Sequence, residues 1–216
     1  MSSNQSPSAG KWIEEESFRR IEAEVGEPRP FRGEQWQVVR RMIHASADFD
    51  ILSLVRFHPE AIQTGKKALF RGCSIVADTE MTRAGLTATR LKGLGCATAC
   101  YLNSPQVKEL ARTSERTRSH HAMEAAARDS EEAIFVIGNA PTALEALLDL
   151  VGSRDIAPVL IIGMPVGFVG ASEAKERLEN QSEIPFITLR GRKGGSALAA
   201  SCLNALAELA LEAGEA

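Results

Sequence analysis

PVLIIGMPVGFVGASEAKERLEN, residues 158–180, decides the fold. It runs from an apolar block, through a turn with Gly163, Gly167 and Gly170, into a segment rich in Glu and Lys. An apolar block without alternation suits a strand covered on both faces, as in a parallel sheet. The same order recurs on either side. AIFVIG (133–138) passes through GNAPTA (138–143) into PTALEALLDLVG (141–152), and PFITLR (185–190) passes through GRKGGS (191–196) into GSALAASCLNALAELALEA (195–213). CSIVAD (73–78) and CATACYL (96–102) add two further runs, the second mixed enough to lie nearer an edge. Strand and helix in repetition imply right-handed crossovers. The expected fold is α/β: a single-domain, twisted, mainly parallel sheet of about five strands with helices on both faces.

Upstream, KWIEEESFRRIEAEVG (11–26) reads as a helix ended by Gly26, and PRP (28–30) breaks the chain. RGEQWQVVRRMIHAS (32–46) places Trp36, Val39 and Ile43 on one helical face. HPEAIQTGKKALFRG (58–72) has Pro59 in its first turn and Gly72 at its end. SPQVKELARTSERTRSHHAMEAAARD (104–129) reads as one long helix. The Ser-, Asn- and Gly-containing stretch 1–10 reads as a disordered tail with neither signal-peptide nor transit-peptide character, leaving 11–216 as the domain.

The 216 residues, 44% apolar and 25% charged, suffice for one sizeable core. No run approaches the roughly 20 apolar residues of a membrane helix, so a soluble, cytoplasmic protein without a membrane partner is expected. A net charge of −3 argues against nucleic acid as a partner. Cys96 and Cys100 would lie about 13 Å apart on an extended strand, too far for a disulfide or a shared metal. All four cysteines, with Cys73 and Cys202, are therefore expected to be buried, reduced thiols.

Ligands of open α/β sheets sit beyond the carboxyl ends of the strands, where the three Gly-rich turns fall. Glycine lets a ligand approach backbone N–H groups closely, and helix N-termini offer unpaired donors. The expected ligand contacts are Asn139, Gly163, Pro165, Gly167, Gly170, Gly191, Gly194 and Gly195. Tight βα turns also need glycine for purely steric reasons, so each turn alone is a weak sign. No GxGxxG or GxxxxGK[ST] is present, which disfavours nucleotides. Arg112, Arg116, Arg118, Arg190, Arg192, Lys193, Arg83 and Arg90 are candidates to neutralise ligand anions, although most such residues simply face solvent.

His44, at the end of its helix, either caps the C-terminus or acts as a proton donor. His120 and His121 are adjacent on a helix and about 100° apart, so they do not share one metal; without HxxxH spacing, no metal site or cofactor is expected. Asp78 and Glu80 in DTEM (78–81) suit an active site, a helix cap or an ion pair with Arg83. No GxSxG elbow occurs.

RMIHAS (41–46), DTEM (78–81), TRS (117–119), IGNAPTAL (137–144), GMPVGFVGASEAKE (163–176) and GRKGGSA (191–197) together resemble the precorrin-8X methylmutases, a family that includes the cobalt-precorrin-8 methylmutases. The match runs from about residue 12 to residue 209. The resemblance implies a cytoplasmic isomerase of corrin biosynthesis. It would move a methyl group from C-11 to C-12 of precorrin-8X or cobalt-precorrin-8, giving hydrogenobyrinic or cobyrinic acid. It implies a homodimer with the tetrapyrrole near the subunit interface, His44 as the catalytic histidine, and Arg118 and Ser17 as substrate contacts. Where some relatives carry Tyr three residues before that serine, Glu14 stands here. A polycarboxylate macrocycle fits a site of helix N-termini and arginines. The alternative is a non-catalytic corrinoid carrier.

Overall fold

The computed structural model describes residues 9–130 and 132–214. The expected tail therefore lies outside the described residues, except for Ala9 and Gly10, which begin the first helix. In chain order the elements are α1 (Ala9–Val25), α2 (Gly33–Ser46), α3 (Ile51–Leu54), β1 (Val55–Phe57), α4 (Ala61–Phe70), β2 (Ile75–Ala77), α5 (Glu80–Ala84), α6 (Ala88–Gly93) and β3 (Thr98–Ala99). They continue with α7 (Pro105–Thr113), α8 (Arg118–Asp129), β4 (Ile134–Ile137), α9 (Pro141–Gly152), β5 (Leu160–Gly163), α10 (Ala171–Asn180), β6 (Phe186–Leu189) and α11 (Ser196–Gly214).

The α/β expectation holds, with one strand more than expected. The sheet has six strands in the order β1-β6-β5-β4-β2-β3. All neighbours are parallel except β1, which runs antiparallel to β6 with Val55 opposite Leu189. β1 carries only VRF, too short for either periodicity to register. β3 spans only Thr98–Ala99, both half-buried at the opposite edge.

The expected 104–129 helix is two. Ser104 caps α7, and at Ser114 the backbone becomes extended (φ −117°, ψ 165°). The Thr117 hydroxyl then accepts from His120 N–H at 3.2 Å and starts α8. Hydroxyl residues that cap a helix end compete with continuation through its interior. The break puts Arg118 at the start of a helix.

Hydrophobic layers cover both faces of the sheet. On one, Ile75, Val136, Leu160, Ile162 and Ile187 pack against residues of α2, α4 and α11. On the other, Val76, Phe135, Ile161 and Phe186 pack against α8, α9 and α10. The 19 residues of α11 are long and apolar enough, by composition, to cross a membrane, contrary to the expectation that no run comes near that length. Here this helix is a core element, with Leu198, Leu203, Leu206 and Leu209 buried. Cys202 is buried as expected, but Cys73, Cys96 and Cys100 are only half-buried, and all four are free thiols. The register sets Cys73 across from Cys96 at the entry to β2 and β3; the neighbouring sulfur and burial push the Cys73 thiol up.

Candidate functional site

The carboxyl ends of β2, β4, β5 and β6 share one edge of the sheet. The turn after β4 is already occupied by the protein's own carboxylate. Asp78, fully buried at the end of β2, accepts from the backbone N–H groups of Gly138 (3.1 Å), Asn139 (2.7 Å) and Ala140 (2.9 Å) and from the Thr82 hydroxyl (2.8 Å). Thr82 Oγ1 also lies 2.9 Å from Ser196 Oγ, which ties α5 to the start of α11. This limits the expectation that the 138–143 turn cradles a ligand anion, since the N–H groups of residues 138–140 are spent internally. Asn139 offers a ligand only its exposed side chain. Glu80 pairs with Arg83 at 2.6 Å.

The other two turns are knitted together. Gly195 N donates to Met164 O (2.9 Å), Gly167 N to Arg192 O (3.3 Å) and Lys175 Nζ to Lys193 O (2.6 Å). At Gly194 a Cβ would stand 2.6 Å from Pro165 O, so only glycine allows this approach. Gly163 and Pro165 are buried, and a Cβ on Gly163 would collide with Leu178 and stand 3.3 Å from Leu144. Those two residues therefore pack beneath the turn. The accessible surface belongs to Gly167, Gly170, Gly191, Gly194 and Gly195. Gly170 starts α10 from a left-handed conformation (φ 75°). Above the turns Phe168 and Val169 are 85% and 88% exposed, and the Arg192 guanidinium lies 5.4 Å from the Phe168 ring centroid.

His44 is exposed near the end of α2, where Ala47 turns the chain with φ 52°. It lines an open cleft of about 260 Å³ with Arg41, Gly85, Ala197, Ala200, Ser201 and Asn204. Small side chains make this room: a Cβ on Gly85 would stand 2.8 Å from Ala200 Cβ. Asn204 holds the cleft wall by accepting from Thr87 N (2.8 Å) and donating to Gly85 O (2.9 Å). The His44 ring packs edge-on to Phe18 at 5.3 Å, and among the described residues its nitrogens have no hydrogen-bond partner. Ser17, half-buried on α1, immediately precedes Phe18. Arg41 is engaged by Glu14 and Glu208, so Glu14 serves to position a basic residue of the cleft.

Most candidate cations are neutralised within the fold. Arg190 pairs with Glu179, Arg90 with Glu208, Arg112 with Glu109, and Lys193 with Asp48 (2.7 Å) and Asp50 (2.6 Å). Among the described residues, Arg116, Arg118 and Arg192 have no carboxylate partner. Arg118, exposed at the start of α8, follows Thr117, whose hydroxyl bonds the Thr142 hydroxyl of α9 at 2.8 Å. The two basic ends are linked along the sheet edge: the His44 cleft reaches Ala197, Gly195 bonds Met164, and Gly170 abuts Pro141 beside Thr142. His120 and His121 do converge, on Glu124, at 3.3 and 2.7 Å. Burial pushes the Glu124 carboxyl up, but the imidazoles outweigh it and hold it below its usual range.

Sequence reasoning missed Lys175. It occupies the buried stripe of α10 with Ala171, Ala174 and Leu178, and a lysine at that spacing was the available signal.

A model of the precorrin-8X methylmutase family matches residues 12–209. The chain belongs to this family. Methylmutases are isomerases of cobalamin biosynthesis, and the chain is an enzyme of that kind. It is 45% identical over 213 residues to the cobalt-precorrin-8 methylmutase of Leptospira interrogans, covering 95% of this chain and 96% of that one. It is 41% identical over 202 residues to the precorrin-8X methylmutase of Pseudomonas aeruginosa, covering 92% and 95%. The crystal structure of precorrin-8X methylmutase from Thermus thermophilus superposes with a TM-score of 0.88 at 41% identity, over 95% of this chain and 98% of that one.

Proposed function

We propose that the enzyme moves a methyl group from C-11 to C-12 of precorrin-8X or cobalt-precorrin-8, with His44 as proton donor to the macrocycle. The observation that carries this reading is the exposed, unengaged imidazole of His44 in a cleft that reaches Ala197, next to the 191–196 turn. The reaction is redox-neutral: the C-11–methyl bond breaks, the C-12–methyl bond forms, and the conjugated double bonds reorganise. It needs neither nucleophile nor hydride donor. A protein can accelerate it by holding the ring in a reactive shape and by protonating a ring nitrogen or carbon, then recovering that proton. An imidazole free of internal hydrogen-bond partners leaves its ring nitrogens available to the substrate.

Ser17, Arg118, the Asn139 side chain and the accessible glycines at 167, 170, 191, 194 and 195 bind the substrate in this reading. Gly163 and Pro165 support them from beneath. The enzyme works as a cytoplasmic homodimer, a reading supported by the exposed apolar tip of Val166, Phe168 and Val169 beside the site, which a second copy would cover. The test is His44→Ala. It abolishes the visible spectral change that accompanies conversion of either substrate, while affinity for the corrin product stays close to wild type. Near-wild-type turnover by the folded variant removes His44 from the chemistry. Running both substrates side by side identifies the natural one.

A further inference from the structure

Lys175 is 1% exposed in a helix face of small and apolar residues. Its Nζ has one acceptor among the described residues, the Lys193 carbonyl at 2.6 Å, and no carboxylate within ion-pair distance. The acids that make ion pairs on α10 and on the adjacent α9, Glu179 and Asp149, are held by Arg190 and Arg177. Burial alone draws the Lys175 amine down to about 8. An unpaired buried cation is expensive, and lysine is almost never fully buried without a partner. An apolar residue would fill this position at lower cost, so the charge itself requires an explanation.

Its location supplies one. The carbonyl it holds belongs to the 191–195 turn, between Arg192, whose carbonyl accepts from Gly167 N, and Gly195, whose N–H donates to Met164 O. The side chain of Lys193 reaches Asp48 and Asp50, just beyond the helix that carries His44. Lys175 therefore sits behind the junction of both glycine turns, at one end of a bonded chain leading to the His44 segment. A fixed charge behind a turn, screened little by water, adds to the attraction of its N–H groups for an anion.

We propose that Lys175 is a positioning residue for the carboxylate arms of the macrocycle, fixing the 191–195 turn through the Lys193 carbonyl and supplying the uncompensated positive charge behind it. The proposal rests on the methylmutase reading above. It is tested by steady-state kinetics of wild type, Lys175→Met and Lys175→Arg with precorrin-8X and cobalt-precorrin-8, together with titrations of the corrin products. Lys175→Met raises KM and the product Kd at least about tenfold, as expected for loss of a charged anchor, with kcat within about threefold. Lys175→Arg recovers part of the affinity.

A folded Lys175→Met enzyme with unchanged KM and Kd overturns the proposal, and so does one that loses kcat at unchanged KM. If Lys175→Met does not fold, the wild type decides. The Nζ resonance of Lys175, assigned by its absence in Lys175→Arg, moves when ¹⁵N-lysine-labelled enzyme is saturated with product; a resonance that stays in place refutes the assignment. A wild type that neither converts nor binds these corrinoids overturns the methylmutase reading and this proposal together. One that does both isolates Lys175.

Discussion

Replacing Asp78 with Asn keeps the side chain's shape and removes its charge and one acceptor. In the native protein Oδ1 accepts from Gly138 N and the Thr82 hydroxyl, and Oδ2 accepts from Asn139 N and Ala140 N. The amide of Asn supplies one oxygen. Set in the Oδ2 position it keeps two bonds, and the Thr82 hydroxyl can turn to accept from the new NH₂. The buried Gly138 N–H then faces a donor, which costs about 1–3 kcal/mol, and the two surviving bonds each weaken by about 1 kcal/mol on losing charge assistance. The total is roughly 3–5 kcal/mol, a large fraction of the ~5–15 kcal/mol that holds a typical domain together. Urea unfolding followed by far-UV circular dichroism and tryptophan fluorescence measures it, provided the m-value is unchanged. A loss below about 1 kcal/mol would refute the reasoning, because these N–H groups would then have other acceptors. Corrin product should stabilise Asp78→Asn no more than it stabilises wild type; an additional gain would show a ligand carboxylate entering the vacated position.

Ala47→Gly relieves the left-handed conformation after His44 (φ 52°). The relief of about 1–2 kcal/mol, offset by the greater entropy of unfolded glycine, leaves a net gain of up to ~1 kcal/mol and a Tm rise of at most about 2–4 °C by calorimetry. Gly194→Ala forces Pro165 O away from 2.6 Å, and should cost about 1–3 kcal/mol in urea unfolding while raising KM, as the two turns separate. Arg118→Ala, which removes an unpaired exposed guanidinium, should raise KM with little change in Tm. For Lys175, the amine titrates at about 8 in the fold and near its ordinary 10.5 when unfolded, so the unfolded chain binds more protons between those values. Stability from this group therefore rises with pH across that window, by at most about 3 kcal/mol, and the difference between wild type and Lys175→Met in urea unfolding should shift accordingly.

The parallel part of the sheet was legible because its strands are buried on both faces and read as unbroken apolar runs, as in Phe135–Ile137 and Leu160–Ile162. VRF at 55–57 was not, because an edge strand of three residues has no period to detect. The break at 114–117 was written in Ser114 and Thr117, whose hydroxyls read equally well as ordinary surface groups. At the site, the Gly-rich turns could be located by their spacing, but their division of labour depends on distant partners. Nothing near Gly138 in sequence announces that Asp78, sixty residues earlier, takes its N–H groups. Likewise the basic residues could be listed, but which of them retain free charge follows from the placement of Glu179, Asp48 and Asp50.

The reversed direction of β1 has a consequence for how the enzyme is assembled along the chain. The parallel strands end at the edge that carries the glycine turns, whereas β1 begins there, since Val55 lies opposite Leu189 and Arg190 N donates to Leu54 O. The chain preceding β1 is thereby delivered to the same edge without a crossover. A parallel strand in that position would have brought its upstream segment to the far side of the sheet. One inverted edge strand thus lets residues 44–50, which precede the whole parallel array, meet turns formed more than a hundred residues later.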